Sequence, residues 1–261
     1  IAFEGGTLTV TKAALTIRAE DQSKVYGAAV PALTASYTGL VNQDTSASLD
    51  SPVSLSTTAS ASSNAGSYPI TASGAASANY TINFEAGTLT VSKAPLTIRA
   101  DDKAIAYGAA LPALTVTYSG FVNQDTAASL DSPASLSTSA TASSNAGSYA
   151  ITASGASDAN YTIRFEAATL TVTKAPLTIR ADDQSKVYGA ALPALTASYS
   201  GFVNQDTSAS LDSAASLSTS ATATSNAGSY PITASGATDA NYTITFEPGR
   251  LTVSKAALTI R

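Results

Sequence analysis

The chain contains no cysteine, histidine, tryptophan or methionine. Without cysteine there are no disulfides and no thiol chemistry, and the additional lack of histidine excludes imidazole chemistry and most transition-metal sites. Cytosolic enzymes rarely lack all four residue types, whereas long exported repeat proteins often do. The inventory therefore argues against a cytosolic enzyme and is compatible with an extracellular or cell-surface location.

Positive charge and long apolar runs are also scarce. The chain has 13 lysines and arginines and 18 aspartates and glutamates, which gives a net charge of −5. An acidic chain is a poor partner for nucleic acid or for an anionic membrane surface. No apolar run approaches the length that spans a bilayer. We therefore expect neither nucleic-acid binding nor membrane contact by this segment.

What the sequence does contain is repetition, at an interval of 81 residues without insertion or deletion. The motif Tyr26-Gly27 returns as Tyr107-Gly108 and Tyr188-Gly189. Asn-Gln-Asp-Thr begins at Asn42, Asn123 and Asn204, Asn-Ala-Gly at Asn64, Asn145 and Asn226, and Asn-Tyr-Thr at Asn79, Asn160 and Asn241. Eighty-one residues suffice for a small independent domain, so the sequence predicts a string of near-identical domains.

The repeats set the predicted domain boundaries. We expect repeats at 13–93, 94–174 and 175–255, the tail of a preceding repeat at 1–12, and the head strand of a following repeat at 256–261. The chain is thus expected to be a segment of a longer array. Lys93-Ala94-Pro95 is a short connection in which proline fixes φ, and flexible linkers are longer and rich in glycine and serine. Neighbouring repeats are therefore expected to be partners within a semi-rigid rod.

The residue pattern within a repeat predicts an all-β fold. Apolar residues alternate with polar ones at a period of two, as in Leu15 and Ile17 or Tyr68 and Ile70, and no helical period of 3.6 is present. About seven short strands per repeat are typical of a small antiparallel, immunoglobulin-like sandwich of two sheets. The predicted fold class is accordingly tandem antiparallel β-sandwich modules arranged end to end.

Three local predictions accompany this fold. The strands at 80–84 and 89–91 are expected to form a hairpin across Glu85–Thr88. The apolar alternation shifts by one residue across Lys93-Ala94-Pro95, so the chain must bulge there or pass to another sheet. Pro69, which lacks a backbone donor, is expected on a sheet edge.

Acidic residues near the repeat ends are candidate calcium ligands. They are Asp101, Asp102, Asp182 and Asp183. Calcium requires six to eight oxygen ligands, and no Asp-x-Asp-x-Asp spacing is present, so solvated turn residues are the favoured interpretation. Calcium is the only candidate cofactor, and no catalytic or cofactor-binding residue is assigned.

The remaining polar and aromatic motifs have structural interpretations. In Asn42-Gln43-Asp44-Thr45, either Asn and Asp are expected to hydrogen-bond their own backbone in a turn, or Asp44 is expected to cap a short helical turn that starts at Thr45. Tyr37, Tyr68 and Tyr80 are in phase with aliphatic neighbours and are expected in the core. The position of Tyr26 stays open.

Several motifs together resemble a known family. They are Ala-Pro-Leu-Thr-Ile-Arg-Ala-Asp-Asp (94–102), Tyr-Gly-Ala-Ala-Leu-Pro-Ala-Leu-Thr (107–115), Gly-Phe-Val-Asn-Gln-Asp-Thr (120–126), Asn-Ala-Gly-Ser-Tyr (145–149) and Asn-Tyr-Thr-Ile (160–163). The combination resembles the MBG ("mostly beta, glycine-rich") repeat of large bacterial surface and adhesin-like proteins. The resemblance implies tandem β-sandwich stalk modules on an exported protein, without catalytic residues. Gln43, Gln124 and Gln205 stand where the family often has glycine.

Two functional hypotheses follow. The first is a structural stalk or spacer in a large repetitive bacterial cell-surface or secreted adhesin-like protein. The alternative is a multivalent binding module, either for glycan or for self-association into extracellular fibres. An enzyme is not expected, because no base, nucleophile or phosphate-binding loop stands out.

Overall fold

The computed structural model describes residues 3–260, and its strands recur in the same order in each repeat. Ile1 and Ala2 of the predicted tail 1–12, and Arg261 of the predicted head strand 256–261, lie outside the described residues. The described parts of both segments carry no strand.

Each repeat contributes seven strands. The first has β1 (Ala13–Ala19), β2 (Gln22–Val25), β3 (Ala35–Thr38), β4 (Ser54–Thr57), β5 (Gly66–Ser73), β6 (Tyr80–Glu85) and β7 (Gly87–Ser92). The second has β8 (Ala94–Ala100), β9 (Lys103–Ala106), β10 (Val116–Ser119), β11 (Ser135–Thr138), β12 (Gly147–Ser154), β13 (Tyr161–Glu166) and β14 (Ala168–Thr173). The third has β15 (Ala175–Ala181), β16 (Gln184–Val187), β17 (Ala197–Ser200), β18 (Ser216–Thr219), β19 (Gly228–Ser235), β20 (Tyr242–Glu247) and β21 (Gly249–Ser254).

The helical content is one short 3-10 turn per repeat within the described range. These turns are Ser46–Ser48, Ala127–Ser129 and Ser208–Ser210. In residues 3–260 no helix has the length and apolarity needed to cross a bilayer.

The strands of each repeat form two sheets. In the first repeat a three-stranded sheet has the order β3-β1-β6 and a four-stranded sheet the order β2-β7-β5-β4, and both orders recur in the other two repeats. The predicted all-β class with tandem modules is confirmed. The pairing is mixed rather than purely antiparallel, because β1 runs parallel to β6 and β2 runs parallel to β7.

The predicted hairpin is wrong. β6 pairs with β1 in the three-stranded sheet, whereas β7 pairs with β5 and β2 in the other sheet. Only Ala86 lies between β6 and β7, and even the commonest tight hairpins need a loop of two residues. The alternation of apolar residues is the same for both arrangements, so it could not distinguish them.

The shift in alternation at the connection reflects a change of sheet. β7 ends at Ser92 in the four-stranded sheet of the first repeat, and β8 begins at Ala94 in the three-stranded sheet of the second. This confirms one of the two predicted solutions. Since Lys93 alone separates the strands, the connection has little freedom.

The edge position predicted for Pro69 holds only locally. Its strand β5 lies between β7 and β4, so the strand itself is not at an edge. The register between β4 and β5 ends at Thr57 and Ile70, which leaves Pro69 paired only with Thr88 of β7. Proline is tolerated here because the neighbouring strand stops one residue short.

The core of the first repeat is thin. β1 lies against β5 and β7 of the other sheet, and Leu15, Ile17, Ile70 and Leu89 are at most 1% exposed. Each such side chain contributes roughly 1.5–3 kcal/mol when fully buried. Tyr80 is also buried, as predicted. Tyr37 and Tyr68 are half-buried and pack against the two core clusters.

The third repeat is built in the same way. β15 lies against β19 and β21, and Leu177, Ile179, Ile232 and Leu251 are at most 1% exposed. Uniform cores of this kind follow from the near-identity of the repeats.

The chain forms two compact units. Of the described residues, one unit contains 3–99, 117–135 and 154–166, and the other contains 100–116, 136–153 and 167–260. The first unit therefore includes the whole first repeat with most of the three-stranded sheet of the second repeat. The second unit includes most of the other sheet of the second repeat with the whole third repeat. Each unit thus holds one junction between consecutive repeats.

Candidate functional site: the junction between repeats

Tyr26 of the Tyr-Gly motif reaches from the first repeat into the second. Its backbone N–H donates to the Ser92 carbonyl at 2.8 Å, which fixes it beside the end of β7. Its hydroxyl donates to Asp125 Oδ2 at 3.0 Å, and its ring meets that of Tyr161 edge-on with the centroids 5.5 Å apart. Tyr26 is 7% exposed. The position that the sequence left open is thus a contact between repeats.

Asp125 accepts hydrogen bonds from two tyrosine hydroxyls. Asp125 Oδ2 also accepts from the Tyr161 hydroxyl at 2.7 Å, and the Tyr161 oxygen accepts from the Val122 N–H at 3.0 Å. Hydrogen bonds to an ionised acceptor are about twice as strong as neutral ones. One carboxylate oxygen therefore joins a side chain of its own repeat to one of the preceding repeat.

The equivalent aspartate of the first repeat corrects a prediction. Asp44 does not cap the helical turn, because Thr45 occupies the N-cap of Ser46–Ser48. Asp44 instead accepts from the Tyr80 hydroxyl at 2.7 Å. The side chain is used for tertiary structure, which a local turn motif does not reveal.

Two left-handed residues position the aspartate. Asn123 has φ 53° and Gln124 has φ 65°, and the Asp125 N–H donates to the Val122 carbonyl at 2.9 Å. A residue with a Cβ in this conformation is disfavoured by about 1 kcal/mol relative to glycine. The glycine that the family often has at the position of Gln124 fits this geometry.

Two separate features require glycine at position 27 of the junction. Its φ of +83° favours glycine, and a Cβ would lie 2.5 Å from Val122 Cγ2. Gly189 has nearly the same φ, +84°, yet a Cβ there would meet no atom within 4 Å. The positive φ is therefore a property of the Tyr-Gly loop with or without a neighbouring repeat. The close approach of Val122 occurs only at the junction.

A second contact lies on the Asn-Ala-Gly turn. The Ala65 N–H donates to Asn160 Oδ1 at 2.9 Å, and Asn160 Nδ2 donates to Asn64 Oδ1 at 3.3 Å. At the connection itself, Lys93 Nζ donates to the Asp158 carbonyl at 3.1 Å. The first repeat is thus attached to the second at three places.

The junction between the second and third repeats has the same side-chain contacts. Tyr107 donates to Asp206 Oδ2 at 3.0 Å and meets the Tyr242 ring edge-on at 5.5 Å. The Ala146 N–H donates to Asn241 Oδ1 at 2.8 Å. A Cβ on Gly108 would lie 2.6 Å from Val203 Cβ. The interface is therefore a repeated feature of the chain.

The same groups are exposed where residues 3–260 include no complete neighbouring repeat. Tyr188 of the third repeat is 48% exposed. In the first repeat, Val41 is 47% exposed and Asn79 is exposed. Val41, Asp44, Asn79 and Tyr80 line a cavity of about 470 Å³.

The electrostatics of the junction keep the phenols neutral. Burial raises the pKa of Tyr161 to about 12, and the Val122 N–H opposes this shift while Asp125 adds to it. The pKa of Tyr242 is likewise raised to about 12 by burial, with Val203 opposing and Asp206 adding. At neutral pH both phenols are therefore donors to a carboxylate. These hydrogen bonds between tyrosine and aspartate hold consecutive repeats together.

The calcium candidates are engaged at strand ends. Asp102 Oδ1 accepts from the Thr169 N–H at 2.8 Å, and Asp183 Oδ1 accepts from the Arg250 N–H at 2.7 Å. Asp101 accepts from the Thr115 hydroxyl at 2.5 Å. Hydrogen bonds from Ser198, then Thr196, lower the pKa of Asp182. Across residues 3–260, no three or more acidic side chains gather as metal ligands would.

The residues of the junction were visible in the sequence only as separate motifs. Asp125, Asn160 and Val122 were not predicted to contact another repeat. The available signal was that Tyr-Gly, Asn-Gln-Asp-Thr, Asn-Ala-Gly and Asn-Tyr-Thr recur together in every repeat.

Comparison with known proteins identifies the family. The MBG domain (YGX type) matches residues 15–90, 96–171 and 177–252. The chain belongs to this family, and it consists of tandem MBG repeats. The Tyr-Gly element of the family description is, in this chain, the motif that docks on the following repeat.

The chain also has similarity to two solved multidomain structures. One is Drosophila N-cadherin EC1-4, at 10% identity and a TM-score of 0.28, covering 94% of this chain and 76% of that one. The other is the three N-terminal domains of the bacteriophage RB49 highly immunogenic outer capsid protein (Hoc). It has 10% identity and a TM-score of 0.26, with coverage of 95% and 100%. No curated protein matches the sequence.

Proposed function

We propose that the chain is a stalk or spacer segment of a large repetitive cell-surface or secreted protein, with no catalytic role. The observation that carries this proposal is the junction found twice, with a tyrosine of one repeat bonded to an aspartate of the next. Such a junction limits bending between repeats, and the length of the array then sets the distance between whatever lies at its ends.

The energetics support a restricted junction. A hydrogen bond to a charged group contributes about 1.5–3 kcal/mol net, and a neutral one about 0.5–1.5 kcal/mol. Tyr26, Asn160 and Lys93 each provide such a bond across the junction. Because the repeats are covalently joined, these contacts form at the high effective concentration of a tethered pair.

An extracellular location is part of the proposal. It is supported by the absence of cysteine, the acidic composition and membership of the MBG family. A non-catalytic role is supported by the engagement of the carboxylates in hydrogen bonds that hold the fold and the junctions.

Small-angle scattering of the 261-residue chain tests the stalk. A compact chain of this length has a radius of gyration of roughly 18 Å. Three sandwiches end to end, each about 40 Å long, would give roughly 35 Å. We expect the larger value, and a compact value would overturn the proposal.

The junction itself is tested with matched variants. Tyr26→Ala combined with Tyr107→Ala removes both tyrosines that cross the junctions, so we expect greater flexibility and a smaller radius of gyration. Tyr188→Ala changes the same motif at a position where the 261-residue chain contains no complete following repeat, and it is the control. Equal behaviour of the two variants would show that the tyrosine contacts do not stiffen the array.

A further inference from the structure

We propose that the third repeat binds a saccharide that carries a carboxylate, in a cleft between Arg180 and Arg250. The cleft has a volume of about 460 Å³ and is also lined by Asp183 and Tyr230. Small-ligand sites usually have volumes of roughly 300–1,000 Å³, so the cleft is large enough for a sugar. The site gives the array a binding function in addition to the proposed stalk, and the inference does not depend on the stalk.

The fold brings the two arginines together from different sheets. Arg180 lies near the end of β15, and β20 pairs with β15 as far as this residue. Pro248 alone separates β20 from β21, so the chain crosses to the other sheet at this point. A Cβ on Gly249 would collide with the Ala181 carbonyl oxygen. The start of β21 is therefore in close contact with the end of β15, and Arg250 follows directly.

The two guanidinium groups are available for an anion. Both arginines are exposed, and neither forms an ion pair with a carboxylate of residues 3–260. In the first repeat, by contrast, Arg18 Nη2 lies 3.4 Å from Asp21 Oδ2. An arginine side chain is a planar fork that can hold a carboxylate through two parallel hydrogen bonds. The carboxylate of a ligand can therefore be bound between Arg180 and Arg250.

Asp183 adds an acceptor for hydroxyl groups. Its Oδ1 accepts from the Arg250 N–H at 2.7 Å, which fixes the carboxylate in the cleft. Its Oδ2 receives no hydrogen bond from residues 3–260 and can accept one from a ligand. The two arginines and this aspartate give the cleft a charge of +1, on a chain with a net charge of −5. The cleft therefore favours a ligand with a single carboxylate and hydroxyl groups beside it.

Tyr230 supplies an apolar wall. Its ring is half-buried, and its hydroxyl donates to the Asn226 carbonyl at 3.0 Å, which fixes the ring. Pro231 and Pro248 add two rigid apolar rings to the lining. A sugar has hydroxyl groups and an apolar ring face, so a saccharide with a carboxylate matches every part of the cleft. Inorganic phosphate would contact the arginines alone, and Asp183 would repel its second charge.

The exposure of the cleft does not depend on an incomplete neighbouring repeat. Arg18, Pro69 and Thr88 are the equivalents of three lining residues in the first repeat. All three are exposed although the complete second repeat follows. Arg99 and Thr169 of the second repeat are likewise exposed beside the complete third repeat. This surface is therefore accessible within the array.

The third repeat alone has both arginines. Arg180 corresponds to Arg18 and Arg99, whereas Arg250 stands where the first two repeats have threonine, Thr88 and Thr169. We therefore expect one bound saccharide per 261-residue chain rather than one per repeat. The first two repeats serve as internal controls for the third.

Calorimetric titration of the 261-residue chain tests the site with three acidic oligosaccharides. They are trigalacturonate, a hyaluronan tetrasaccharide and sialyllactose, and the methyl ester of each is the uncharged control. We expect at least one of the acids to bind with a stoichiometry of one, and its ester to bind at least about tenfold more weakly. Binding by none of the three acids, equal binding of acid and ester, or a stoichiometry of three would overturn the inference. Succinate that binds as tightly as the saccharide would also overturn it, because the sugar would then not be recognised.

Matched variants locate the binding site. Arg250→Thr gives the third repeat the residue that the other two repeats have, so the fold is expected to be preserved, and Arg180→Gln removes the other charge. Each should weaken binding of the acidic saccharide by at least about tenfold. Arg18→Gln, at the equivalent position of the first repeat, should leave binding unchanged. Unchanged binding by either third-repeat variant, or an equal loss in Arg18→Gln, would overturn the inference. The stalk is judged separately by scattering, so an extended chain that binds no saccharide would overturn only the present inference.

Discussion

Tyr26 and Tyr188 occupy the same position of the same motif, yet the first is 7% exposed and the second 48%. Their backbones agree, since the following glycines have φ +83° and +84°. What differs is the neighbour, because Tyr26 has Asp125 and Tyr161 of the next repeat beside it. The comparison shows that the repeat sets the shape of the loop, and that burial of its tyrosine requires the following repeat.

The largest difference in stability between the two positions is expected when the tyrosine itself is replaced by alanine. Tyr26→Ala deletes a buried ring and a bond to a carboxylate, which should destabilise the junction by about 3 kcal/mol. Tyr188→Ala should change stability by less than about 0.5 kcal/mol, as an exposed site does. The reporter is hydrogen exchange at the Ala65 amide, which donates across the junction to Asn160. Equally fast exchange in both variants would contradict the assignment.

Raising the pH should open the junctions as the buried phenols ionise. The pKa of Tyr161 and Tyr242 is raised to about 12, whereas an unfolded tyrosine ionises near 10. A raised folded-state pKa stabilises the protonated form, so this contribution is complete below about pH 10 and is lost as the pH rises towards 12. Tyrosinate absorbance should show a late phase, and Asp125→Asn should move the Tyr161 part of it to lower pH. A titration without a late phase would refute the predicted burial.

Substituting the glycine separates loop strain from contact between repeats. Gly27→Ala and Gly189→Ala both place a Cβ at positive φ, which costs about 1 kcal/mol. Only at Gly27 would the Cβ also meet Val122, so we expect a further loss of about 1–2 kcal/mol from overpacking. Denaturant unfolding of the two variants gives the difference. Equal losses would mean that the glycine serves the loop alone.

The asparagine contact should have a smaller effect. Asn160→Ala removes the acceptor of the Ala65 amide, and we expect a loss of about 1 kcal/mol. Asn79→Ala is the matched control, because Asn79 is the exposed equivalent in the first repeat. The Ala65 exchange rate should rise in the first variant and stay constant in the control. A response to Asn79→Ala would indicate an indirect effect.

Sequence patterns predicted the strands but could not locate the junction. Strand alternation depends on which side of a sheet a residue faces, and Leu15 and Ile17 are buried as that rule requires. The hydrogen-bond partner of Tyr26 cannot be predicted in this way, because Asp44 and Asp125 occupy equivalent positions in the first and second repeats. The structure pairs Tyr26 with Asp125, 99 positions away. Near-identity of the repeats makes the two pairings indistinguishable until the backbone is known.

The failed hairpin has a related cause. The apolar positions Tyr80, Ile82 and Leu89 are compatible with two strands in one sheet and with two strands in different sheets. The apolar pattern does not show which strands pair by hydrogen bonds. The deciding fact is that a single residue, Ala86, separates β6 from β7. Boundary positions are the least certain part of a sequence-based prediction, so the short loop was not evident.

The smallest expected effect concerns the left-handed glutamines. Gln43→Gly in the first repeat and Gln124→Gly at the junction relieve the same conformation, with φ 64° and 65°. The relief of about 1 kcal/mol is partly offset by the greater freedom of glycine in the unfolded chain, so a gain of a few tenths of a kcal/mol is expected at each site. The two gains should be equal, since the loop has the same shape with and without a preceding repeat. Denaturant unfolding of the two single variants checks this. A larger gain at Gln124 would show that docking strains the loop, and the backbone would then depend on the neighbour as the burial of Tyr26 does.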